Sequence, residues 1–238
     1  MEQAKLKVTL LSYTNEPERT VVAAIRQCYS SLSGKELWDK VSEDQKKRLI
    51  NQIISSGHTS TIEHANFTFA IEGVSRALTH QLVRHRIASY SQKSQRYVKE
   101  SNFEYILPPS IKKDKKATEI YLKELENIGE SYKKMLDLQI PAEDARMVLP
   151  NGCETKIVVT MNCRSLFNFF KERLCSRAQW EIRAMAALML KECKKIAPNI
   201  FKYAGPTCVT EEICWQGDLN CGKPAKNKKI QLRSKGEK

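Results

Sequence analysis

No apolar run in this 238-residue chain approaches a membrane span, and the first twenty residues, MEQAKLKVTLLSYTNEPERT, hold no long apolar segment behind a basic start. A span takes roughly 20 consecutive apolar residues, so the expectation is a soluble, cytoplasmic protein with no leader. No Cys-x-x-Cys pair occurs, although there are eight cysteines: Cys28, Cys153, Cys163, Cys175, Cys193, Cys208, Cys214 and Cys221. Thiols scattered in this way argue against a disulfide framework and for reduced side chains. The sequon at Asn66-Phe67-Thr68 then carries no meaning. Glycine is scarce, and no Gly-rich turn joins a strand to a helix, which removes the doubly wound dinucleotide-binding fold. No segment repeats, which removes the solenoids.

What is abundant is positive charge, +13 net. It is unevenly spread: residues 222–238 hold seven Lys or Arg against one Glu, so six of the thirteen charges sit in that tail. The expected organisation is one catalytic domain over 1–205, a Cys-containing extension over 206–221, and a basic tail over 222–238 with too little to bury to take on structure. The charge left in the body favours anionic ligands.

The pattern of apolar residues alternates strands with helices. Lys5 to Tyr13 reads as a strand. Pro17 opens a helix running toward Tyr29. Ser42 with Gln45 three residues on forms a capping box, and Gly57 supplies the stop of that helix. Ala65 to Gly73 has the period of a half-buried strand, and Ser75 caps a helix running to about Arg86, with Leu78, Gln81, Leu82 and His85 on one face. A polar loop follows. Tyr121, Leu125, Ile128, Tyr132 and Met135 mark a long amphipathic helix over 115–139. A short helix begins at Pro141, a β-branched strand covers 154–162, and two helices cover about 164–175 and 178–197. The fold class expected is α+β, a single domain with a small, mainly antiparallel sheet flanked by helices.

All four histidines fall between positions 58 and 85, which raises the question of a metal. His58-x4-Glu63-His64 is not the helical His-Glu-x-x-His arrangement, and His80 and His85, five apart, leave a helix in different directions. No metal ligands are assigned. Cys208, Cys214 and Cys221, with a fourth ligand such as Cys193, form a secondary zinc candidate, but gaps of five and six residues match no common zinc module. Reduced structural thiols are the expectation. A cysteine nucleophile is not expected either, since no thiol lies in the polar loop and Cys163 reads as core filling.

Ser89, Ser91, Gln92, Lys93, Ser94 and Arg96 crowd donors into the loop after Arg84-His85-Arg86, with no acid among them. A phosphate dianion needs converging donors of this kind. Arg173 shares a stripe with Leu166, Phe169 and Phe170, so it lies on or beside a buried face and needs an acceptor. An ion pair with Glu172, Glu181 or Glu63 serves as well as a ligand carbonyl or anion.

Arg84-His85-Arg86 followed after seven residues by Ser94 resembles the R-H-R-x7-S signature of the flavin-dependent thymidylate synthases, a family distinct from the synthases that use a cysteine nucleophile. Three further stretches resemble the same family in the same order: His58-Thr-Ser60-Thr-Ile-Glu63-His64, Ala145-Arg146-Met-Val-Leu-Pro150, and Asn162-Cys163-Arg164-Ser-Leu-Phe-Asn168 through Arg173. Together they span roughly residues 5–205.

The resemblance implies conversion of dUMP to dTMP, with 5,10-methylenetetrahydrofolate as carbon donor and reduced FAD, recycled by NADPH, as hydride donor. It implies a homotetramer whose active sites are shared between subunits. Carried over residue by residue, it places Gln81, Arg84, Gln92, Lys93, Ser94, Arg96 and Arg146 on the nucleotide, with Arg173 facing the uracil as the catalytic cation. It places Ser60, Arg84, His85, Arg86, Gln92, Asn162, Cys163, Arg164 and Asn168 on FAD. Many members of the family carry Asn-Glu where this chain has Ser91-Gln92, which turns a carboxylate contact into an amide one. A rival of another class, a basic nucleic-acid-binding module, draws on the pI of 9.4, the lysine-rich tail and the run at 112–116. It leaves the central motifs unexplained, and no specific nucleic-acid partner is expected.

Overall fold

In the computed structural model, which describes residues 1–227 and 229–234, local sequence signals set most element boundaries. The chain opens with β1 (Lys7–Tyr13) and α1 (Pro17–Gln27), continues through α2 (Gly34–Asp39) and α3 (Glu43–Ser55), and enters β2 (Asn66–Ser75) after a 3-10 turn over Thr59–His64. Both α2 and α3 begin with reciprocal capping boxes, Ser33 with Glu36 and Ser42 with Gln45. Each satisfies two amide donors that a helix start leaves orphaned. Gly57, at φ 77°, takes the left-handed position after α3. The first box, Ser33-x-x-Glu36, was legible in the sequence yet lay outside the expected elements.

Next come α4 (Arg76–Leu82), β3 (Ala88–Gln92), α5 (Pro109–Lys112), the long α6 (Lys115–Asp137), α7 (Ala142–Ala145) and β4 (Glu154–Asn162). The chain then forms α8 (Cys163–Arg173), α9 (Trp180–Ile196), α10 (Pro198–Phe201), α11 (Thr207–Thr210), β5 (Ile213–Cys214), α12 (Lys223–Lys226) and β6 (Gln231–Leu232). β1 to β4 make a small antiparallel sheet in the order β1-β2-β4-β3, so the α+β expectation holds. No helix among the described residues is long and apolar enough to cross a membrane.

Two expectations are corrected. Helix α4 ends at Leu82, not near Arg86, and part of the segment read as a loop is strand β3. The tail over 222–238 is not structureless throughout: α12 lies within it, and β6 pairs in parallel with β5 through Ile213↔Gln231 and Cys214↔Leu232. Backbone bonds from Gln231 N–H to Glu212 O and from Arg233 N–H to Cys214 O supply what the poor apolar content does not. Residues 228 and 235–238 of that tail lie outside the described residues.

The chain divides into two compact units. The first comprises Met1–Thr9, Ala70–Arg84 and Tyr90–Val159. Its core forms where Leu125 of α6 meets Phe103 and Cys153, with Tyr105, Tyr121 and Leu149 packed around them. Gly73, at φ 67°, is required there: a Cβ would stand 2.0 Å from the backbone oxygen of Lys5. The second unit comprises Leu10–Phe69, His85–Ser89 and Thr160–Lys238. Its core is aromatic, with Phe67 edge-on to Phe201 at 5.3 Å and Phe169 against Phe170 at 5.6 Å. Ring pairs in these arrangements contribute about 0.5–1.5 kcal/mol each beyond their buried area. The buried Glu18 of α1 holds the start of α10, accepting from Asn199 N–H and Nδ2.

Candidate active site

The residues expected at the nucleotide, Arg173 excepted, fall in the first unit, and those expected at FAD, Arg84 and Gln92 excepted, fall in the second. In the first unit Glu143 gathers two of the arginines. Its carboxylate accepts from Arg96 Nε at 2.7 Å, and its carbonyl accepts from Arg146 Nε at 3.0 Å. These bonds engage each guanidinium at its inner nitrogen and orient its outer fork. Ser94 Oγ accepts from the backbone N–H of Arg96, which fixes the serine beside the same arginine.

Gln92 ends β3 and donates from Nε2 to Thr79 Oγ1 at 3.1 Å and to Thr155 Oγ1 at 3.2 Å. Neither threonine was singled out in the sequence, because hydroxyls that position a neighbour carry no motif of their own. Lys93 behaves differently from the other donors. Its ammonium pairs with Glu100 at 2.9 Å and Glu154 at 3.2 Å, both carboxylates being nearly inaccessible. Burial opposes the lysine charge, but the two acids outweigh it and raise the Lys93 pKa. Its backbone N–H is also engaged, donating to Lys156 O. Lys93 therefore anchors the loop internally. Tyr90 donates to Leu82 O, and burial pushes its hydroxyl up to about 12, so that bond persists throughout the neutral range.

In the second unit α8 organises the flavin candidates. Asn162 caps it through a 2.8 Å bond from Ser165 N–H, and Arg164 pairs at 2.6 Å with Glu63 of the 3-10 turn that carries Ser60. Asn168 and Arg86 are exposed. Ser165 Oγ donates to the carbonyl of Ile87 at 2.9 Å. Ile87 closes the Arg84-His85-Arg86 turn at φ 63° with its side chain 78% exposed. A β-branched residue in the left-handed region stores on the order of 1–3 kcal/mol of strain, and nothing in the sequence signals it.

At the other end of α8, Arg173 donates through Nε to His85 Nε2 at 2.8 Å. A guanidinium has only donors, so that ring nitrogen must carry the lone pair and Nδ1 the proton. Desolvation, followed by the Arg173 charge, pushes the His85 pKa down to about 4, with Glu172 opposing. The imidazole is neutral at pH 7, and its edge packs on Phe169 at 5.0 Å. His85 was expected at the flavin; here it also steers the arginine expected to act on the uracil.

The family model described as thymidylate synthase complementing protein matches residues 9–199. A flavin-dependent thymidylate synthase of Clostridium tetani is 50% identical, over 95% of this chain and 97% of its own length. Namesakes of Geobacter sulfurreducens, at 48% over 94% and 97%, and of Pyrococcus abyssi, at 44% over 97% and 99%, are similar along their full lengths. The chain belongs to the flavin-dependent thymidylate synthases. In this member of the family Cys163, carried over as a flavin contact, is fully buried, and burial pushes its thiol up; any contact there runs through its backbone. Burial also pushes up Cys153, to about 12, and Cys193, so these thiols are ill suited to act as nucleophiles.

Proposed function

We propose that this flavin-dependent thymidylate synthase methylates dUMP at the uracil C5, taking its carbon from 5,10-methylenetetrahydrofolate and using NADPH to regenerate reduced FAD. The observation that carries the reading is the Arg173–His85 pair, which holds a cation by a neutral partner in a half-buried setting. The neutral imidazole orients the guanidinium and brings no charge of its own to it. Held so, Arg173 is the group to stabilise the negative charge that builds in the pyrimidine ring as C5 becomes nucleophilic.

The donors of the first unit suit a monophosphate. Arg96, Arg146 and Ser94 are the groups assigned to it, with Gln81, Arg84 and Gln92 completing nucleotide recognition. Lys93 is kept as the loop's anchor. For FAD, the second unit offers a donor set of the right chemistry: the exposed Arg86, Arg164 and Asn168 suit phosphate and carbonyl oxygens, and the capped start of α8 orients Asn162. Ser60, His85 and the Cys163 backbone complete that assignment, with Arg84 and Gln92 facing both ligands. When bound in its reduced form, FAD would supply the hydride for the new methyl group, with the C5 proton lost and tetrahydrofolate released. A homotetramer with shared active sites belongs to the same reading and is carried over with the family's motifs.

The test is the visible spectrum of purified protein given FAD, its bleaching by NADPH, and release of tritium from C5-labelled dUMP. Flavin bands that bleach, with tritium release that needs methylenetetrahydrofolate, are the expected result. Arg173→Ala should keep the flavin and lose tritium release. A protein that binds no flavin would overturn the proposal.

A further inference from the structure

Four of the eight cysteines come together outside the residues assigned above. A cavity of about 60 Å³ in the second unit is lined by Cys175, Cys208, Cys214 and Cys221, with Ser176 and Lys223 beside them. The thiols arrive from four places: just past the end of α8, the first turn of α11, β5, and the residue before Gly222 at the start of α12. All four are free thiols. The volume equals that of about two waters at roughly 30 Å³ each, so it has room for one ion.

Cys221 is followed by Gly222 at φ 79°, a turn that only glycine makes without strain. Positive charge lies close by: Arg177 and Lys223 line the same cavity, whereas Lys171, on a neighbouring one that shares Cys175, Cys208 and Cys214, is paired with Glu211. Four thiolates around a divalent cation carry a net charge of about −2, which such cations offset. Cys193, the partner the spacing suggested, is fully buried on α9 near Cys163 instead.

We infer that Cys175, Cys208, Cys214 and Cys221 form a tetrathiolate site for a thiophilic divalent cation of the zinc class. As they stand, no group of three or more His, Cys, Asp or Glu among the described residues could hold a metal ion. The site closes on binding: the exposed Cys221, with Gly217 and Gly222 at positive φ on either side, swings inward until the sulfurs stand roughly 3.8 Å apart, as a tetrahedral ion with 2.3 Å bonds demands. All four positions are filled by protein, so the ion is structural. It fastens residues 206–226 to the end of α8, two residues beyond Arg173.

The test is elemental analysis of protein purified without chelator, together with cobalt(II) titration of the metal-free, reduced chain. About one zinc per chain and an intense thiolate-to-cobalt charge-transfer band are expected. The double variant C208S/C221S should lose both, and Cys28→Ser, at an exposed thiol away from the cavity, should keep both. Should the double variant fail to fold, the cobalt titration of the unaltered chain still decides. Zinc far below one per chain with no cobalt band overturns the inference. So does a disulfide among the four in denatured, unreduced protein, or iron with acid-labile sulfide in place of zinc.

Discussion

Replacing His85 by glutamine should remove a pH dependence of stability while preserving the hold on Arg173. The glutamine oxygen can accept from Arg173 Nε as His85 Nε2 does, but it does not titrate. In the native chain the imidazole pKa is pushed from 6.5 down to about 4. Between those values the unfolded chain binds more protons than the folded one, so stability falls as pH drops through that window. The full gap corresponds to about 3.4 kcal/mol, reached only below pH ~4. Between about pH 7 and pH 5 some 2 kcal/mol of it develops. Because the ring is only half-buried, solvent screening reduces this to about 1 kcal/mol. Urea unfolding of apoprotein at fixed concentration, at both pH values, should show native protein losing about 1 kcal/mol more than His85→Gln. Imidazole nitrogen shifts should independently place the proton on Nδ1. Equal losses in the two proteins would refute the argument, and so would a proton on Nε2.

Lys93→Met should destabilise the chain by about 3 kcal/mol, because it strands two buried carboxylates; a urea midpoint unchanged from native would show that Glu100 and Glu154 do not depend on the ammonium. Ile87→Gly should be neutral or stabilising by up to about 1 kcal/mol, since glycine adopts a positive φ without strain and little apolar area is lost from an exposed side chain; a clear drop in melting temperature would contradict the strain at this turn. Gln92→Glu should still fold, because Thr155 can donate to a carboxylate, although Thr79, whose hydroxyl donates to Arg76 O, can do so only by giving up that bond. Its dUMP dissociation constant, by calorimetry, should rise as the added negative charge meets the phosphate; tighter dUMP binding would count against the placement of Gln92 near that group.

The elements that were legible share one property: their signals lie within the element. α6 shows its apolar stripe, α3 its capping box and Gly57, β2 and β4 their alternation, and α8 its phenylalanines. The end of α4 was not legible, because no Gly or Pro interrupts Val83 to Ile87 and the turn there is held by Ser165 and Arg173 from far along the chain. β3 was missed for a similar reason. Ala-Ser-Tyr-Ser-Gln has little apolar content, and an edge strand next to β4 owes its form to pairing, not to side chains. At the candidate site, residue types named the donors but not their allegiances. Lys93 reads as a phosphate ligand, and the sequence does not show that its ammonium also pairs with Glu100 and Glu154; Cys175, inside the matched region, gives no hint that it lines one cavity with three cysteines beyond it.

The boundary between the two compact units falls within each of β1, β2, β3 and β4, and once more between Arg84 and His85. The chain therefore passes from one unit to the other five times. No single break in the polypeptide, and no single junction in a gene, can release either unit whole. The protein is poorly suited to being inherited in halves, rebuilt from two expressed fragments, or trimmed to a minimal nucleotide-binding piece. The arginine-histidine-arginine signature is itself one of the crossings, so an insertion there changes the chain's passage from one unit to the other as well as its chemistry.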